Sequence, residues 1–370
     1  MKALLFILCG LLSLTIKAQE LKMQASGRLI LGTYVERTAS VSCGDIDGDG
    51  DNDLLVANGR HWPGQNRVFV NNGRGIFTVE RDLGTDRATT YATELADLDG
   101  DGDLDVAVGN DMAPNALFMN DGTGHFTYAG TFGQAYSSTR NLTLGDLDQD
   151  GDIDILITNR GRVNEICLND GKGGFSDTRE FGNKSDSTID VEIADMNGDG
   201  QLDLILANRD DQQNYVYLND GKLGFTEKVP FGTGKDNTRS VGIADIDEDG
   251  FPDIITANIG EPNVIYFGSE AGSFSRSKSL GPEERYSFAI AIADVDGDGD
   301  QDIIVGDYES PNAVYLNKGQ GKAWQIYPLT EDGFNTYDII AADLNGDGLP
   351  EIIEANSDAI NRYFFNRTKD

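Results

Sequence analysis

Asp45-Ile46-Asp47-Gly48-Asp49-Gly50-Asp51-Asn52-Asp53 is the stretch on which the reading of this chain turns. Acids alternate along it, and glycine stands at its sixth position. The string returns with its first acid at Asp97, Asp146, Asp195, Asp245, Asp294 and Asp343, at intervals of 52, 49, 49, 50, 49 and 49 residues. Seven copies at one period mark a repeat architecture.

Outward from the string, each copy has the same order. Thr38, Thr90, Thr139, Thr188, Thr238, Ser287 or Thr336 stands seven residues before the first acid, and an alternating segment leads from it into the loop. A short apolar run follows, such as Asp-Ile-Leu-Ile-Thr-Asn at 154–159. A variable loop then ends at Asn66, Asn115, Asn164, Asn214, Asn263, Asn312 or Asn361. A third run such as Val-Tyr-Leu-Asn at 216–219 passes through a Gly-rich turn to a Phe, and a fourth segment closes the copy near Gly232 or its counterparts. Four short strands per copy, joined by Gly, Asn and Asp turns, spell an antiparallel sheet. No helical periodicity of useful length follows the first residues. The chain therefore reads as all-β, a seven-bladed β-propeller of four-stranded antiparallel blades. An open stack of sheets would leave an exposed edge at each end. The seventh copy stops at Asn366 after its third strand, and Arg28-Leu29-Ile30-Leu31-Gly32 resembles the missing fourth. The N-terminal strand is expected to close the ring.

The chemistry of the loop is that of a hard cation. Positions 1, 3, 5 and 9 carry side-chain oxygens in every copy, and position 6 is always glycine, which permits the sharp bend. Calcium takes six to eight oxygens, and the carbonyl of position 7 is the natural further ligand. The expected metal residues are Asp45, Asp47, Asp49, Asp51 and Asp53 in the first copy, and Asp97, Asp99, Asp101, Asp103 and Asp105 in the second. The third offers Asp146, Asp148, Asp150, Asp152 and Asp154, and the fourth Asp195, Asn197, Asp199, Gln201 and Asp203. The fifth offers Asp245, Asp247, Asp249, Phe251 and Asp253, and the sixth Asp294, Asp296, Asp298, Asp300 and Asp302. The seventh has Asp343, Asn345, Asp347, Leu349 and Glu351. Plain acidic turns are the alternative, but two carboxylates ~4 Å apart repel by roughly 4 kcal/mol at an effective dielectric of ~20. Up to seven structural calcium ions are expected, with the Asn-bearing fourth and seventh loops weaker. An EF-hand would need flanking helices and Glu at position 12, where six copies carry Val56, Val108, Ile157, Leu206, Thr256 and Val305. Thrombospondin-type calcium repeats would need many more cysteines.

Asp-x-Asp-Gly-Asp-Gly-x-x-Asp followed by an apolar strand, and later by Leu-Asn-Asp-Gly-x-Gly-x-Phe, resembles the FG-GAP/VCBS repeat of integrin α-subunit propellers, certain fungal lectins and many exported bacterial proteins. The resemblance spans residues 25–366 and implies a seven-bladed propeller with calcium in the loops between first and second strands. It departs at Asn197, Asn345 and Glu351 within the loops, and at Gly268 and Asp307 outside them.

The formal net charge is −34. Thirty of the 63 acids lie at the odd-numbered positions of the loops, yet the balance still argues against nucleic acid and anionic membranes as partners. Lys2, the apolar run Leu4 to Ile16 and Ile16-Lys17-Ala18 read as an export signal over residues 1–18, cleaved to leave one propeller domain over 19–370. No later stretch is long and apolar enough to span a bilayer. The mature chain is expected to be secreted or periplasmic, and monomeric. Cys43 and Cys167 fall where other copies carry apolar or aromatic residues, which favours two buried free thiols over a disulfide.

The face opposite the loops is where copies differ, and specificity resides in such loops. Arg60, His61 and Trp62 occupy the longest, with Arg160, Arg162, Arg209 and Tyr308 in counterparts, and Arg37, Arg87, Tyr91, Arg140, Arg239, Arg285, Tyr286, Phe288 and Tyr337 near the inner-strand starts. Arginine forks and aromatic platforms suit carbohydrate, an anionic polysaccharide above all, or an extracellular protein partner. The ligand candidates are Arg60, His61, Trp62, Arg87, Tyr91, Arg140, Arg239, Arg285 and Tyr337. The competing reading pairs the arginines with Asp111, Asp190, Asp210, Asp338 and Glu309. No nucleophile motif, zinc cluster or phosphate loop is present. A non-enzymatic recognition module is the first reading. A polysaccharide lyase or glycoside hydrolase using His61, Tyr91, Tyr337 and Arg140 is the second.

Overall fold

The computed structural model describes residues 20–368, and every regular element in that span is a strand. The export-signal segment 1–18 lies outside the described residues. The third repeat shows how the sequence makes a blade. Thr139–Gly145, Asp154–Asn159, Asn164–Leu168 and Asp177–Phe181 pair in that order, all antiparallel. The second strand, Asp-Ile-Leu-Ile-Thr-Asn, is buried throughout because sheets pack against both of its faces, so it reads as a continuous apolar run. The outermost strand is exposed except for Phe181, and its sequence is accordingly polar.

Four-stranded units of this kind recur seven times among the described residues. The second and fourth repeat the pattern as separate sheets, Thr90–Ala96 to Thr127–Phe132 and Thr188–Ala194 to Glu227–Asp236. Elsewhere single long strands run from one role into the next. Asp253–Phe267 supplies both the second and third strands of the fifth blade, and Arg276–Ala293 runs from its outer edge to the innermost position of the sixth. The innermost strands touch their neighbours in cyclic order, the last against the first, so the arrangement is a closed ring. Closure comes from the N-terminus. Ile30 and Leu31 pair with Arg362 and Asn361, as the sequence leads one to expect, but pairing also extends to Met23–Gln24 against Asn366 and Phe365. The closing strand is thus two short pieces separated by a turn in which Leu29 N donates to the Ser26 carbonyl at 2.9 Å.

The repeated Thr and Asn positions weld the blades together. Thr38 Oγ1 donates to Asn58 Oδ1 at 2.8 Å, while Asn58 N donates to Asn66 Oδ1 at 2.9 Å and Asn66 Nδ2 donates to Thr90 Oγ1 of the next blade at 3.0 Å. The relay continues around the molecule until Asn361 Nδ2 donates to Thr38 Oγ1 at 3.0 Å. Each such bond contributes about 0.5–1.5 kcal/mol net, and all are buried. The apolar cores lie between blades: Val56 and Phe69 of the first pack with Ile353 and Tyr363 of the seventh. Cys167 packs in the core between the second and third blades, and Cys43 beside the first, both unpaired. Burial pushes both thiols up to about 12. Among the described residues no helix is long and apolar enough to cross a membrane.

Candidate functional site

Each acidic loop is pinned by its ninth residue. Asp154 Oδ2 accepts from Leu147 N at 3.0 Å, and its Oδ1 accepts from Asn169 N at 2.9 Å, so one carboxylate ties the loop to the end of the third strand. Asp53, Asp105, Asp203, Asp253 and Asp302 repeat the arrangement, and Glu351 reproduces it with the longer side chain. Burial raises these carboxyls, to about 6 at Asp53, Asp105, Asp154 and Asp253 and to about 7 at Asp302 and Glu351; neighbouring loop acids add to the rise and the backbone donors oppose it. The first residue caps the turn, as where Asp45 accepts from Asp49 N and Gly50 N, both at 3.1 Å. Glycine at position 6 has φ between 81° and 98° in all copies, the left-handed region that only glycine enters freely.

The remaining oxygens point at one another. Among the described residues, three carboxylates bring an oxygen each within 4.8 Å of the others in five loops: Asp45, Asp47 and Asp53; Asp97, Asp99 and Asp101; Asp146, Asp148 and Asp154; Asp245, Asp247 and Asp253; Asp294, Asp296 and Asp302. Asp47 Oδ1, Asp146 Oδ1, Asp247 Oδ1 and Asp296 Oδ1 are buried with no hydrogen-bond partner. Buried acceptors without donors are costly, and a divalent cation supplies what they lack. These clusters could hold a metal, and the donor set, all oxygen, suits a hard ion. The fourth and seventh loops do not form such a trio. There Asn197 Nδ2 donates to Asp199 Oδ2 at 3.1 Å, and Asn345 Nδ2 donates to Glu351 Oε1 at 2.7 Å.

A cavity of about 620 Å³ lies inside the ring of innermost strands, lined from all seven blades. Its wall is layered: a register shift at the start of the innermost strands turns two successive residues toward the axis, and regular alternation follows. Tyr91, Arg140, Arg239, Phe288 and Tyr337 form the layer farthest from the acidic loops, Asn141, Asp190, Ser240 and Asp338 the next, and Glu94, Glu192, Ser42 and Thr143 the one nearest the loops. In the first layer His61 Nδ1 lies 2.8 Å from the Tyr91 hydroxyl, Arg140 stacks 4.4 Å over the Tyr91 ring, and Arg60 stacks 4.1 Å over Tyr337. The Arg239 guanidinium lies 5.7 Å from the centre of the Phe288 ring and 6.0 Å from that of Tyr337. Burial and the Arg60 and Arg140 charges hold His61 below its usual range, and burial raises Tyr91. Deeper, Asp190 accepts from Val241 N at 3.0 Å and Asp338 from Val41 N at 2.9 Å, each bonding to the adjacent blade. Burial, and then Asp190 and Asp338, push Glu192 up to about 8; burial and the other three carboxyls raise Glu94 well above its ordinary value.

Of the nine ligand candidates, Arg60, His61, Tyr91, Arg140, Arg239 and Tyr337 converge here. Trp62 stands 66% exposed at the rim with Arg37 at 6.0 Å from its ring. Arg87 is exposed and does not line the cavity. Arg285 lies elsewhere: it pairs with the buried Asp307 and donates to the Tyr315 hydroxyl at 2.9 Å, balancing the acid that replaces the usual Asn. Much of the arginine charge is met internally, Arg140 by Asp111 at 2.8 Å, Arg37 and Arg60 by Asp358, and Arg160 by Asp210 at 2.9 Å. Of the acids proposed as their partners, Asp111 and Asp210 fill that role. Glu94 and Glu192 were missed by sequence reasoning; the signal for them is the two-residue alternation counted back from each loop.

A family profile described as FG-GAP-like repeat matches six overlapping spans, residues 45–108, 97–157, 146–206, 195–256, 245–305 and 294–353. A search among curated proteins returns no match. Among solved structures, the chain is similar to BBS1N crystallised in complex with ARL6DN and soaked with lead, at 12% identity and a TM-score of 0.63, covering 93% of this chain and 96% of that one. It is also similar to a lectin of Agrocybe aegerita described as recognising non-reducing terminal N-acetylglucosamine, at 20% identity and a TM-score of 0.58, covering 80% and 81%. At these identities the likeness is one of fold.

Proposed function

The chain belongs to the family of FG-GAP-like repeat proteins, and we propose that it is an exported propeller, stabilised by calcium in its acidic loops, that binds carbohydrate or an extracellular protein on the opposite face. The observation that carries the metal half is the set of buried, donorless carboxylate oxygens at Asp47, Asp146 and Asp247. When bound, calcium would be held by the acids of positions 1, 3, 5 and 9, and would offset charge that otherwise repels. The binding half rests on the convergence of Arg60, Arg140 and Arg239 with Tyr91 and Tyr337 at the far end of the axial cavity, on a face the repeat does not dictate. A lectin of similar fold supports carbohydrate as the ligand class, and the guanidinium groups favour acidic sugars. Glycan-array binding by the mature chain should be strongest for uronate or sulfated glycans and should be lost when Arg140→Ala and Arg239→Ala are combined. Binding that survives the double variant would remove the arginine site.

The hydrogen bond between His61 and Tyr91 favours a second reading, a polysaccharide lyase or glycoside hydrolase. A neutral imidazole beside a phenol and a guanidinium is a workable acid–base group. Unsaturated uronate products, followed by ultraviolet absorbance, would select the lyase and new reducing ends without them the hydrolase, either being abolished in His61→Ala with binding retained.

A further inference from the structure

We infer that the sixth acidic loop carries its own counter-ion, the ammonium of Lys318, and that a divalent cation binds there far more weakly than in the first three loops. The inference rests on the reading of the loops as calcium sites and deepens it. Lys318 follows Asn317 at the end of the third strand of its blade. The residue at that place in the second, third and fourth blades is Asp121, Asp170 or Asp220, and there the carboxylate caps its own turn, as Asp170 Oδ1 does by accepting from Lys172 N and Gly174 N. In the sixth blade the turn persists without that cap, through Lys318 N donating to the Ala323 carbonyl at 2.8 Å. The side chain instead reaches into the acidic loop. Lys318 Nζ pairs with Asp296 Oδ2 and lies 3.3 Å from Asp298 Oδ2, at positions 3 and 5.

Burial separates this contact from a casual surface pair. The Asp296 side chain is wholly buried and that of Asp298 is 14% exposed, whereas Asp148 and Asp150, their counterparts in the third loop, are exposed. The fifth loop has a looser analogue, Arg276, whose side chain is 56% exposed where it meets Asp247 and Asp249. Among the described residues, no lysine or arginine forms a salt bridge to the first, second or third loop. A tethered ammonium competes with a free ion at high effective concentration and repels a second cation from the same oxygens. The loops are therefore graded: the first three depend on an external cation, and the sixth has one built in.

Calcium titrations of the chelator-stripped mature chain, read by calorimetry and native mass spectrometry, test this. The wild type should bind fewer than seven tight equivalents. Lys318→Met, which keeps the stem and removes the charge, should add one, with affinity at that site raised roughly tenfold or more. Lys318→Arg should leave the count unchanged, and Asp148→Asn should remove one. Because Lys318→Met could fold poorly once stripped, its melting temperature is also followed with and without calcium, and calcium should raise it by more than it raises the wild type. Seven equal equivalents in the wild type, or an unchanged count and calcium response in Lys318→Met, would overturn the inference and leave the calcium reading intact. No calcium binding by the wild type would overturn the calcium reading itself.

Discussion

The two ends of this ring meet the same difficulty, crowded carboxylates, in opposite ways. At the loop face the acids of one turn converge on one another, and several oxygens are left with no donor inside the protein. Around the axial cavity the acids are spread over different blades. Asp190 and Asp338 bond to backbone N–H groups of adjacent blades, Arg239 lies in the layer beside them, and Arg140 pairs with Asp111. The first solution is cheap to repeat, since one nine-residue string encodes it, but it leaves oxygens that only an ion from solution would satisfy. The second needs residues placed individually across blades, and so no two blades carry the same set. On the proposed reading, repetition goes with ion dependence and individuality with recognition.

Stripping the metal breaks the comparison most severely. Each site held at 100 times its dissociation constant contributes about 2.7 kcal/mol to the folded state. A strong chelator should lower the melting temperature by roughly 10 °C or more, while Arg140→Ala or Arg239→Ala leaves that drop unchanged. Differential scanning calorimetry measures it, and a melting temperature indifferent to the chelator would remove the structural role of the ion.

Cutting one carboxylate at each end is the next test. Asp154→Ala removes two charge-assisted bonds and strands the buried Leu147 and Asn169 N–H groups, a loss of about 3–5 kcal/mol. Asp190→Ala removes the bond to Val241 N and one to Asn141, but beside a cavity of about 620 Å³, wide enough for water to replace them, so about 1–2 kcal/mol is expected. Urea denaturation in calcium compares them. Equal losses would mean that the two faces are held together alike.

The difference between the faces also explains what the sequence could and could not disclose. A repeat announces itself, so the strands, the loops and the Thr and Asn positions were all legible, and the ring followed from the missing fourth strand. The relay those Thr and Asn residues form was not legible, because it crosses from blade to blade. Glu94 and Glu192 were hidden for a similar reason: alternation puts them on one side of their strands, but only the closed ring turns that side into a cavity. Arg285 misled because its place beside a strand start suggests the rim, whereas its partner Asp307 lies in the next repeat. Lys318 was not singled out, since spacing says nothing about where a long side chain ends.

Protonation gives the finest separation of the two faces. In chelator, both sets of carboxyls have folded values above the ordinary ones: about 6 at Asp53, Asp105, Asp154 and Asp253, about 7 at Asp302 and Glu351, raised at Asp203, and about 8 at Glu192. A group raised on folding favours the folded state fully below its unfolded value, near 4, and loses that contribution as pH rises through the folded value. The metal-free chain should therefore be most stable in mild acid and should weaken steadily from about pH 4 to pH 8. Calcium reverses the loop contribution, since the ion binds deprotonated carboxylates and is released by acid. What survives in calcium is the loss due to the cavity acids, concentrated toward the Glu192 end of the window. Glu192→Gln should flatten that residual decline between pH 6 and pH 8 in calcium, while leaving the steeper chelator curve governed by the loops. Melting temperatures across pH 4 to 9 would show it. A Glu192→Gln curve that parallels the wild type in calcium would take the residual titration away from Glu192 and leave it to Glu94, Asp338 or a group outside the cavity.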